Sequence, residues 1–173
     1  MSETPPNGGG APDQGGDQAA GAAAGSNAGP SLRVLAQYLK DHSFENPKAP
    51  QSFIDNGVSP NIDVNVDVAA RALGNDQYEV ELSARVGAKR GADTAFVVET
   101  TYAGLFEIKN VPEDQLEPIM IVECPRLLFP FLRQIVAETT TTGNFPPIML
   151  DPIDFFSLYQ QRKIQSSQQA AQA

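Results

Sequence analysis

Three stretches of the chain alternate between apolar and polar residues. The first runs from Ile62 to Val68, the second from Tyr78 to Val86 and the third from Phe96 to Ile108. The residues Gly74-Asn75-Asp76 and a second turn region at 89 to 93 separate them. Because successive side chains on a strand point to opposite faces, and because short turns join neighbouring strands, the pattern predicts a meander of antiparallel strands. One face of that sheet is apolar and the other is polar.

The chain ahead of these strands is predicted to add an edge strand. In residues 40 to 46, KDHSFEN, odd-numbered and even-numbered positions differ in character, which indicates a short strand that Pro47 ends. The large apolar residues within 31 to 39 fit a short helix and an irregular strand equally well, and both interpretations stay open. Residues 47 to 60 are bracketed by prolines and predict a crossover loop on the surface.

The residues from Cys124 to Val136, CPRLLFPFLRQIV, predict the main helix. Pro125 suits the first turn of that helix, where a missing backbone N–H costs no hydrogen bond. Pro130 lies inside the pattern, so a kink or a later start is expected near it. The residues that recur at three- and four-residue spacing are Leu128, Phe131, Leu132, Ile135 and Thr139. They predict one helix face, which we expect to cover the apolar face of the sheet.

Shorter helices are predicted on either side of the main one. Residues 112 to 123 carry acids early and apolar residues late, which indicates a short helix interrupted by Pro118. Asp154 is a candidate N-cap for a last helix. The residues expected on one side of that helix are Phe155, Leu158, Tyr159 and Arg162. A sheet followed in sequence by helices predicts an α+β fold.

Composition divides the chain into three parts. The chain has 173 residues, of which 41% are hydrophobic, and this is enough for one domain with its own core. Residues 1 to 30 are almost all small or polar and predict a disordered tail. The folded domain is expected at residues 31 to 165. Residues 166 to 173, rich in Gln and Ala, are expected to form a flexible tail.

Charge and motifs limit the classes of partner. The formal net charge of −9 repels nucleic acid and anionic membrane surfaces and favours basic partners. The sequence has no run of about twenty apolar residues and no secretory signal pattern, so we expect a cytoplasmic protein without membrane insertion. Cys124 is the single cysteine, which excludes an intrachain disulfide and a cysteine-based zinc site. No phosphate-loop, dinucleotide or zinc-protease motif occurs, so neither a cofactor nor a metal is predicted.

The polar face of the predicted sheet is the first candidate binding surface. The acidic residues that share it are Asp41, Glu45, Asp63, Asp67, Glu79, Glu81 and Glu99. On an exposed surface these carboxylates lack the burial that tunes catalytic groups, and His42 is the only histidine, so an enzyme is not expected. A small acidic enzyme that uses Glu79, Glu81 or His42 remains the alternative from another class.

Surplus phenylalanine side chains are the second candidate feature. Phe155 and Phe156 are neighbours, and Phe129 and Phe131 are two residues apart, so the members of each pair point to different sides of a helix. One monomeric core cannot bury all of them. An oligomer interface and a groove that binds apolar peptide both explain the surplus.

Five segments carry a resemblance to a known family. They are KDHSFENPKAP (40 to 50), YEVELSARVGAK (78 to 89), ETTYAGLFEI (99 to 108), ECPRLLFPFLRQIV (123 to 136) and GNFPPIMLDPIDFFSLY (143 to 159). The chain closely resembles the SecB family of bacterial protein-export chaperones over residues 39 to 165. The five segments occur in the same order as in that family and nearly without gaps. The resemblance implies a four-stranded antiparallel sheet with two main helices on one face, and a homotetramer built as a dimer of dimers. It also implies an ATP-independent holdase that keeps precursors of exported proteins unfolded and passes them to the SecA motor.

The resemblance further implies two sets of site residues. The positions that match the family's peptide-binding groove are Phe53, Val58, Phe96 and Phe131, with Val58 where the family often has tryptophan. The positions that match the family's docking surface for the basic, zinc-binding C-terminal tail of SecA are Asp41, Glu45, Val97 and Glu99. The zinc belongs to the partner. A SecB-like chaperone dedicated to an antitoxin is the alternative function within the same fold.

Overall fold

The computed structural model describes residues 29 to 54 and 59 to 172 of the chain. Four long strands form one antiparallel sheet in the order β1-β4-β3-β2. The strands are β1 (Ser31–Glu45), β2 (Asn61–Gly74), β3 (Gln77–Arg90) and β4 (Asp93–Lys109). The predicted meander is confirmed for β2, β3 and β4. Val58 and all but the last two residues of the predicted N-terminal tail lie outside the described residues.

Both predicted turns are confirmed. The β2–β3 turn places Asn75 and Asp76 at φ of 53° and 59°, a left-handed conformation that Asn and Asp tolerate better than most residues. Gly91 takes φ of 59° in the β3–β4 turn, where glycine meets no steric penalty. The tight turns fix the register of the sheet. From Gln77 to Ala88 of β3, and over the paired residues Phe96 to Glu107 of β4, even-numbered residues point to one side and odd-numbered residues to the other.

β1 is a single edge strand, which settles residues 31 to 39 as strand. It pairs with β4 along its length, with one register shift at Leu35 and another at Lys40. Each shift is a β-bulge, which adds one residue to β1 and reverses the face to which the following residues point. The two reversals cancel, so only residues 36 to 39 are out of phase with the rest of the strand.

The helices follow the sheet, apart from one short helix in the crossover loop. They are α1 (Gln51–Ile54), α2 (Glu113–Pro118), α3 (Cys124–Thr142) and α4 (Phe155–Gln172). A π-helical segment, Ile119–Glu123, joins α2 directly to α3, so Pro118 marks a change of hydrogen bonding and not an interruption. This wider turn lies just before Pro125, which has no N–H for an α-helical hydrogen bond. α3 runs through Pro130, and the predicted later start near that residue is wrong.

α3 covers the apolar face of the sheet, as predicted, but with a different stripe. Its buried residues are Cys124, Pro125, Leu128, Phe129, Leu132, Val136 and Thr140. The predicted stripe shares only Leu128 and Leu132 with this set, and Phe131 is 43% exposed. The helix is apolar on two adjacent stripes, of which one faces the sheet. Gly104 permits the close approach of α3, because a Cβ there would lie 2.5 Å from the Phe106 ring and 3.0 Å from Leu128.

α4 packs on the π-helical segment and on α3. Asp154 caps it as predicted, since its Oδ1 accepts hydrogen bonds from two backbone N–H groups of the first turn, each at 3.1 Å. Hydrogen bonds from the backbone and the hydroxyl of Ser157 lower the pKa of that carboxyl. The buried ring of Phe155 meets Phe129 edge-on at 6.1 Å. The helix continues past Ser166, and the flexibility of residues 166 to 173 stays a prediction.

Arg162 ties α4 to the outer edge of the sheet. Its Nη1 donates to the carbonyl of Val68 at 3.1 Å, and its Nη2 pairs with Asp67. Phe155 and Tyr159 are buried and Leu158 is half-buried on the same side of the helix. The predicted inner side of α4 is therefore confirmed.

Thr140 holds the segment after α3 against the end of that helix. Its buried hydroxyl donates to the carbonyl of Val136 at 3.0 Å and accepts from the backbone N–H of Ile148 at 3.1 Å. Thr140→Val keeps the shape of the side chain but leaves that N–H without its acceptor, so we expect the free energy of unfolding to fall by about 1–2 kcal/mol. Urea unfolding measures the change.

The control for this prediction is Thr141→Val, one residue further along the same turn. Thr141 is exposed, and its hydroxyl donates only to the carbonyl of Ala137. We expect this variant to change the free energy of unfolding by less than about 0.5 kcal/mol. An equal loss in both variants would contradict the role assigned to Thr140.

Candidate functional site

The face of the sheet opposite the helices, which we call the open face, carries the residues predicted to dock a basic partner. Glu45 pairs with Val97, and two residues along the same strands Ser43 pairs with Glu99. Asp41 lies a further two residues along β1, on the same face. The structure therefore brings Asp41, Glu45, Val97 and Glu99 together on two adjacent strands.

Three rows of residues across the sheet form the acidic half of the open face, which we call the acidic patch. Each row runs from β1 through β4 and β3 to β2. The rows are Glu45-Val97-Gly87-Asp63, Ser43-Glu99-Arg85-Asn65 and Asp41-Thr101-Ser83-Asp67. A depression of about 250 Å³ lies in the patch. Its lining includes the hydroxyls of Ser83 and Thr101, which are hydrogen bonded to each other at 2.8 Å.

Glu79 was expected on this exposed surface but is buried, at 3% exposure. Its carboxylate accepts hydrogen bonds from Tyr38 Oη, from Lys40 Nζ at 3.1 Å and from Arg71 Nε at 2.5 Å. Tyr38 and Lys40 reach Glu79 from β1 across β4, where the intervening side chain is the small Ala103. The Tyr38 hydrogen bond, together with the two cations, lowers the pKa of Glu79 to about 2 in spite of its burial.

Other acids of the open face differ in how far the protein neutralises them. Lys40 pairs with Glu81 at 2.6 Å, so both glutamates outside the patch at the start of β3 are held by internal cations. Within the patch, Glu99 pairs with Arg85. Asp67 pairs with Arg162, as described above. The acids of the patch that form no ion pair within the described residues are Asp41, Glu45 and Asp63.

Four phenylalanine rings form an aromatic cluster on the helix side of the sheet. Phe145 lies at its centre, with ring centroids 4.5 Å from Phe96 and 5.6 Å from Phe53. Phe44 stacks on Phe96 at 5.9 Å and occupies the space that a side chain at Gly143 would fill. Phe53 is 42% exposed, whereas Phe96 is 1% exposed. Phe53 is therefore accessible from solvent, whereas Phe96 is buried within the cluster and is not an exposed part of its surface.

Polar contacts hold the crossover loop so that Phe53 reaches the aromatic cluster. The guanidinium of Arg90 donates to the carbonyl of Ser52 at 3.0 Å, and the Ser52 hydroxyl donates to the side chain of Asn46 at 3.1 Å. Lys48 pairs with Asp93 at 3.2 Å and links the loop to the β3–β4 turn. These contacts fix the start of α1 on which Phe53 lies.

Phe131 lies apart from the aromatic cluster. Its ring stacks on Tyr102 at 5.5 Å and 18°, and it is 43% exposed. Of the predicted groove residues, the structure thus brings Phe53 and Phe96 together through Phe145 and places Phe131 on a second apolar surface.

An apolar cavity that the sequence analysis missed lies between β2 and the segment before α4. Its volume is about 560 Å³, and its lining includes Ile62, Val64, Val66, Ile148, Met149 and Ile153. α3 packs on β4 and β3, so the apolar face of β2 is left to the π-helical segment and to this segment. The sequence did carry part of the signal for this cavity, because the aliphatic residues of β2 were predicted to point to the apolar face. The strand order that places β2 at the edge of the sheet was not predicted.

The described residues contain no group of three or more His, Cys, Asp or Glu side chains placed to hold a metal ion. In the same parts of the chain, no helix is both long and apolar enough to cross a membrane. An acidic patch on one side of the sheet and exposed aromatic and aliphatic side chains on the other define a binding protein with two surfaces of opposite chemistry.

Comparisons with known proteins identify the family. The model of the family described as preprotein translocase subunit SecB matches residues 25 to 166. The protein-export protein SecB of Xanthobacter autotrophicus is 52% identical over 142 residues, which are 82% of this chain and 91% of that protein. The protein of the same name from Azorhizobium caulinodans is 49% identical over 142 residues, 82% of this chain and 89% of that one. The chain belongs to the SecB family, and its function is that of a chaperone in protein export.

A solved structure shows the same fold. The SecB-like chaperone of Mycobacterium tuberculosis, in complex with a peptide from an antitoxin, matches with a TM-score of 0.58 at 16% identity. The match covers 70% of this chain and 90% of that one. The predicted α+β fold, with a four-stranded antiparallel sheet and two main helices, is confirmed.

Proposed function

We propose that the protein is an ATP-independent holdase that binds unfolded precursors of exported proteins and delivers them to SecA. The observation that carries this proposal is the division of the surface. Exposed apolar side chains lie on the helix side, and acidic side chains lie on the open face. One chain can therefore hold an apolar client and a basic partner at the same time, because the sheet separates the two sites.

Client binding in this proposal uses the exposed apolar side chains. Burial of apolar area is non-directional, so such a surface accepts many unfolded sequences and excludes folded proteins, whose apolar groups are hidden. The residues assigned to the groove are Phe53, Phe131 and the buried Phe96, which the ring of Phe145 joins to Phe53. Val58 is the fourth residue assigned to the groove, and it lies outside the described residues. The apolar cavity beside β2 extends the area available to a client.

SecA binding in this proposal uses the acidic patch. The basic, zinc-containing C-terminal tail of SecA is the partner, and the zinc remains with SecA. Asp41, Glu45 and Glu99 supply the charge, and Val97 lies beside Glu45, two residues before Glu99 on β4. Electrostatic complementarity of this kind raises the association rate and weakens as salt is added. A cytoplasmic location is part of the proposal, since delivery to the motor precedes export.

Assembly as a homotetramer, a dimer of dimers, is also proposed. β1 is an edge strand, and its exposed apolar residues include Val34, Leu35 and Leu39. Unpaired edges of this kind pair readily with another chain and are usually covered. Several grooves on one particle would raise the apparent affinity for a long client through effective concentration.

Two alternatives have less support. A chaperone dedicated to an antitoxin shares the fold, but the relatives that are about half identical are protein-export proteins. A small acidic enzyme would need reactive carboxylates or a free histidine. Glu79 is instead held by Tyr38, Lys40 and Arg71, and the His42 ring is hydrogen bonded to the Thr139 hydroxyl at 3.1 Å.

The test of the holdase proposal is the double variant Phe53→Ser, Phe131→Ser. Each ring is about two-fifths exposed, and its loss removes roughly 1 kcal/mol of apolar burial with a client. The two losses together are roughly 2 kcal/mol, so we expect the double variant to retain an unfolded precursor roughly 30-fold less well in an assay of delayed refolding. The control is Phe156→Ser, a ring of similar exposure (49%) on the outer side of α4. Full retention by the double variant would remove the support for this groove.

A further inference from the structure

Arg85 is the one basic residue in the three rows of the acidic patch. It lies in the middle row, directly between Glu99 of β4 and Asn65 of β2. Its guanidinium forms an ion pair with Glu99, and the same depression that Arg85 lines is also lined by Asp41 and Asp67. A cation of the protein itself thus lies at the centre of the surface that attracts cations.

We propose that Arg85 determines the specificity of the acidic patch by acting as an internal competitor. Its guanidinium occupies Glu99 until a basic side chain of the partner displaces it. This inference rests on the proposed docking of the basic tail of SecA. Arg85 contacts no client in this account, and its effect is on which basic segments dock and how tightly.

The pair between Arg85 and Glu99 is open to exchange. The two side chains are 62% and 46% exposed, and exposed ion pairs are weak because water screens them and ordering two long side chains costs entropy. An arriving lysine or arginine can therefore replace Arg85 at Glu99. The displaced guanidinium remains tethered to the sheet, where it repels the arriving charge.

The cluster around Glu79 shows the contrasting case on the same face. The Glu79 side chain is 4% exposed, and two cations and a tyrosine hydroxyl hold it, so a partner on the surface has little access to this carboxylate. The Glu79 carboxylate is therefore closed to the exchange that Glu99 allows. A partner with one basic residue gains little there, because it replaces one cation by another. A segment with several basic residues also reaches Asp41, Glu45 and Asp63, which form no ion pair within the described residues.

The experiment measures the affinity of the purified full-length protein for purified SecA, at low and at physiological salt. Arg85→Gln removes the competing charge and keeps much of the side chain. We expect it to bind SecA roughly threefold to tenfold more tightly than the wild type, with the larger gain at low salt. Arg85→Lys keeps the charge and should retain wild-type affinity. Arg126→Gln makes the same change of net charge on α3, where Arg126 pairs with Glu123 at 2.8 Å, and should also leave affinity unchanged.

Unchanged or weaker binding by Arg85→Gln would overturn the inference. A gain of the same size in Arg126→Gln would also overturn it, because the effect would then come from net charge alone. Asp41→Asn separates this outcome from failure of the proposed function. If Asp41→Asn weakens SecA binding while Arg85→Gln does not strengthen it, only the role of Arg85 is wrong. If neither Asp41→Asn nor Arg85→Gln alters SecA binding, the docking proposal itself fails.

Discussion

Charge reversal at both Asp41 and Glu99 is expected to lower the affinity for SecA by at least about 100-fold while client binding persists. Asp41→Lys turns a carboxylate of the acidic patch that forms no ion pair within the described parts of the chain into a cation. Glu99→Lys places a second cation beside Arg85, which then loses its partner and adds to the repulsion. The patch changes from a surface that attracts a basic segment into one that repels it. Titration of SecA at two salt concentrations measures the loss.

The matched control is the double variant Glu123→Lys, Glu138→Lys. Both glutamates are exposed on the helical side of the sheet, so the change of net charge is the same and its position is not. Native mass measurement on both double variants checks that assembly is unaltered. Unchanged SecA affinity in Asp41→Lys, Glu99→Lys would contradict the assignment of the docking surface.

Replacing Glu79 by glutamine is expected to lower the free energy of unfolding at neutral pH by about 2–3 kcal/mol. The substitution leaves Tyr38, Lys40 and Arg71 without the carboxylate that joins them across the sheet. The loss is smaller than for a fully buried ion pair, because Lys40 and Arg71 are 34% and 63% exposed and regain water. Urea unfolding of the two proteins at pH 7 measures the difference.

The same variant gives a prediction about pH. The folded protein holds the pKa of Glu79 at about 2, below its ordinary value of 4.5. The stabilisation is therefore fully present above about pH 4.5 and is lost as the pH falls towards 2, where the carboxyl becomes neutral. We expect the unfolding free energies of the wild type and of Glu79→Gln to converge over this range. A constant difference from pH 7 to pH 2 would contradict the assigned role of the carboxylate.

The sheet was predictable because its signal is local. Alternation in β2, β3 and β4 is set by burial of one face, and turn residues such as Asn75 and Gly91 mark the reversals. The face to which Asp41, Glu45 and Glu99 point followed from the same alternation. Residues 31 to 39 were ambiguous because the bulge at Leu35 reverses the alternation of the next residues, and a reversed alternation reads as a loss of pattern.

The burial of individual residues was less predictable because it depends on neighbours distant in sequence. Glu79 has the alternation of an exposed residue, but Tyr38 and Lys40 from β1 and Arg71 from β2 close over it. Phe131 has the spacing of a core residue, but the sheet packs on the stripe that contains Phe129, and Phe131 stays exposed. Hydrophobic periodicity identifies such stripes and does not choose between them.

The two bulges of β1 constrain how the length of this strand can change. Tyr38 reaches Glu79 because the bulge at Leu35 turns it to the open face, and Asp41 returns to that face because the bulge at Lys40 turns the chain back. Loss of one residue at either position would exchange the two faces for part of the strand, and a second change would be needed to restore them. Insertions and deletions in this edge strand are therefore neutral only in compensating pairs. A homologue with a single insertion or deletion must lose either the contact of Tyr38 with Glu79 or the position of Asp41 on the open face.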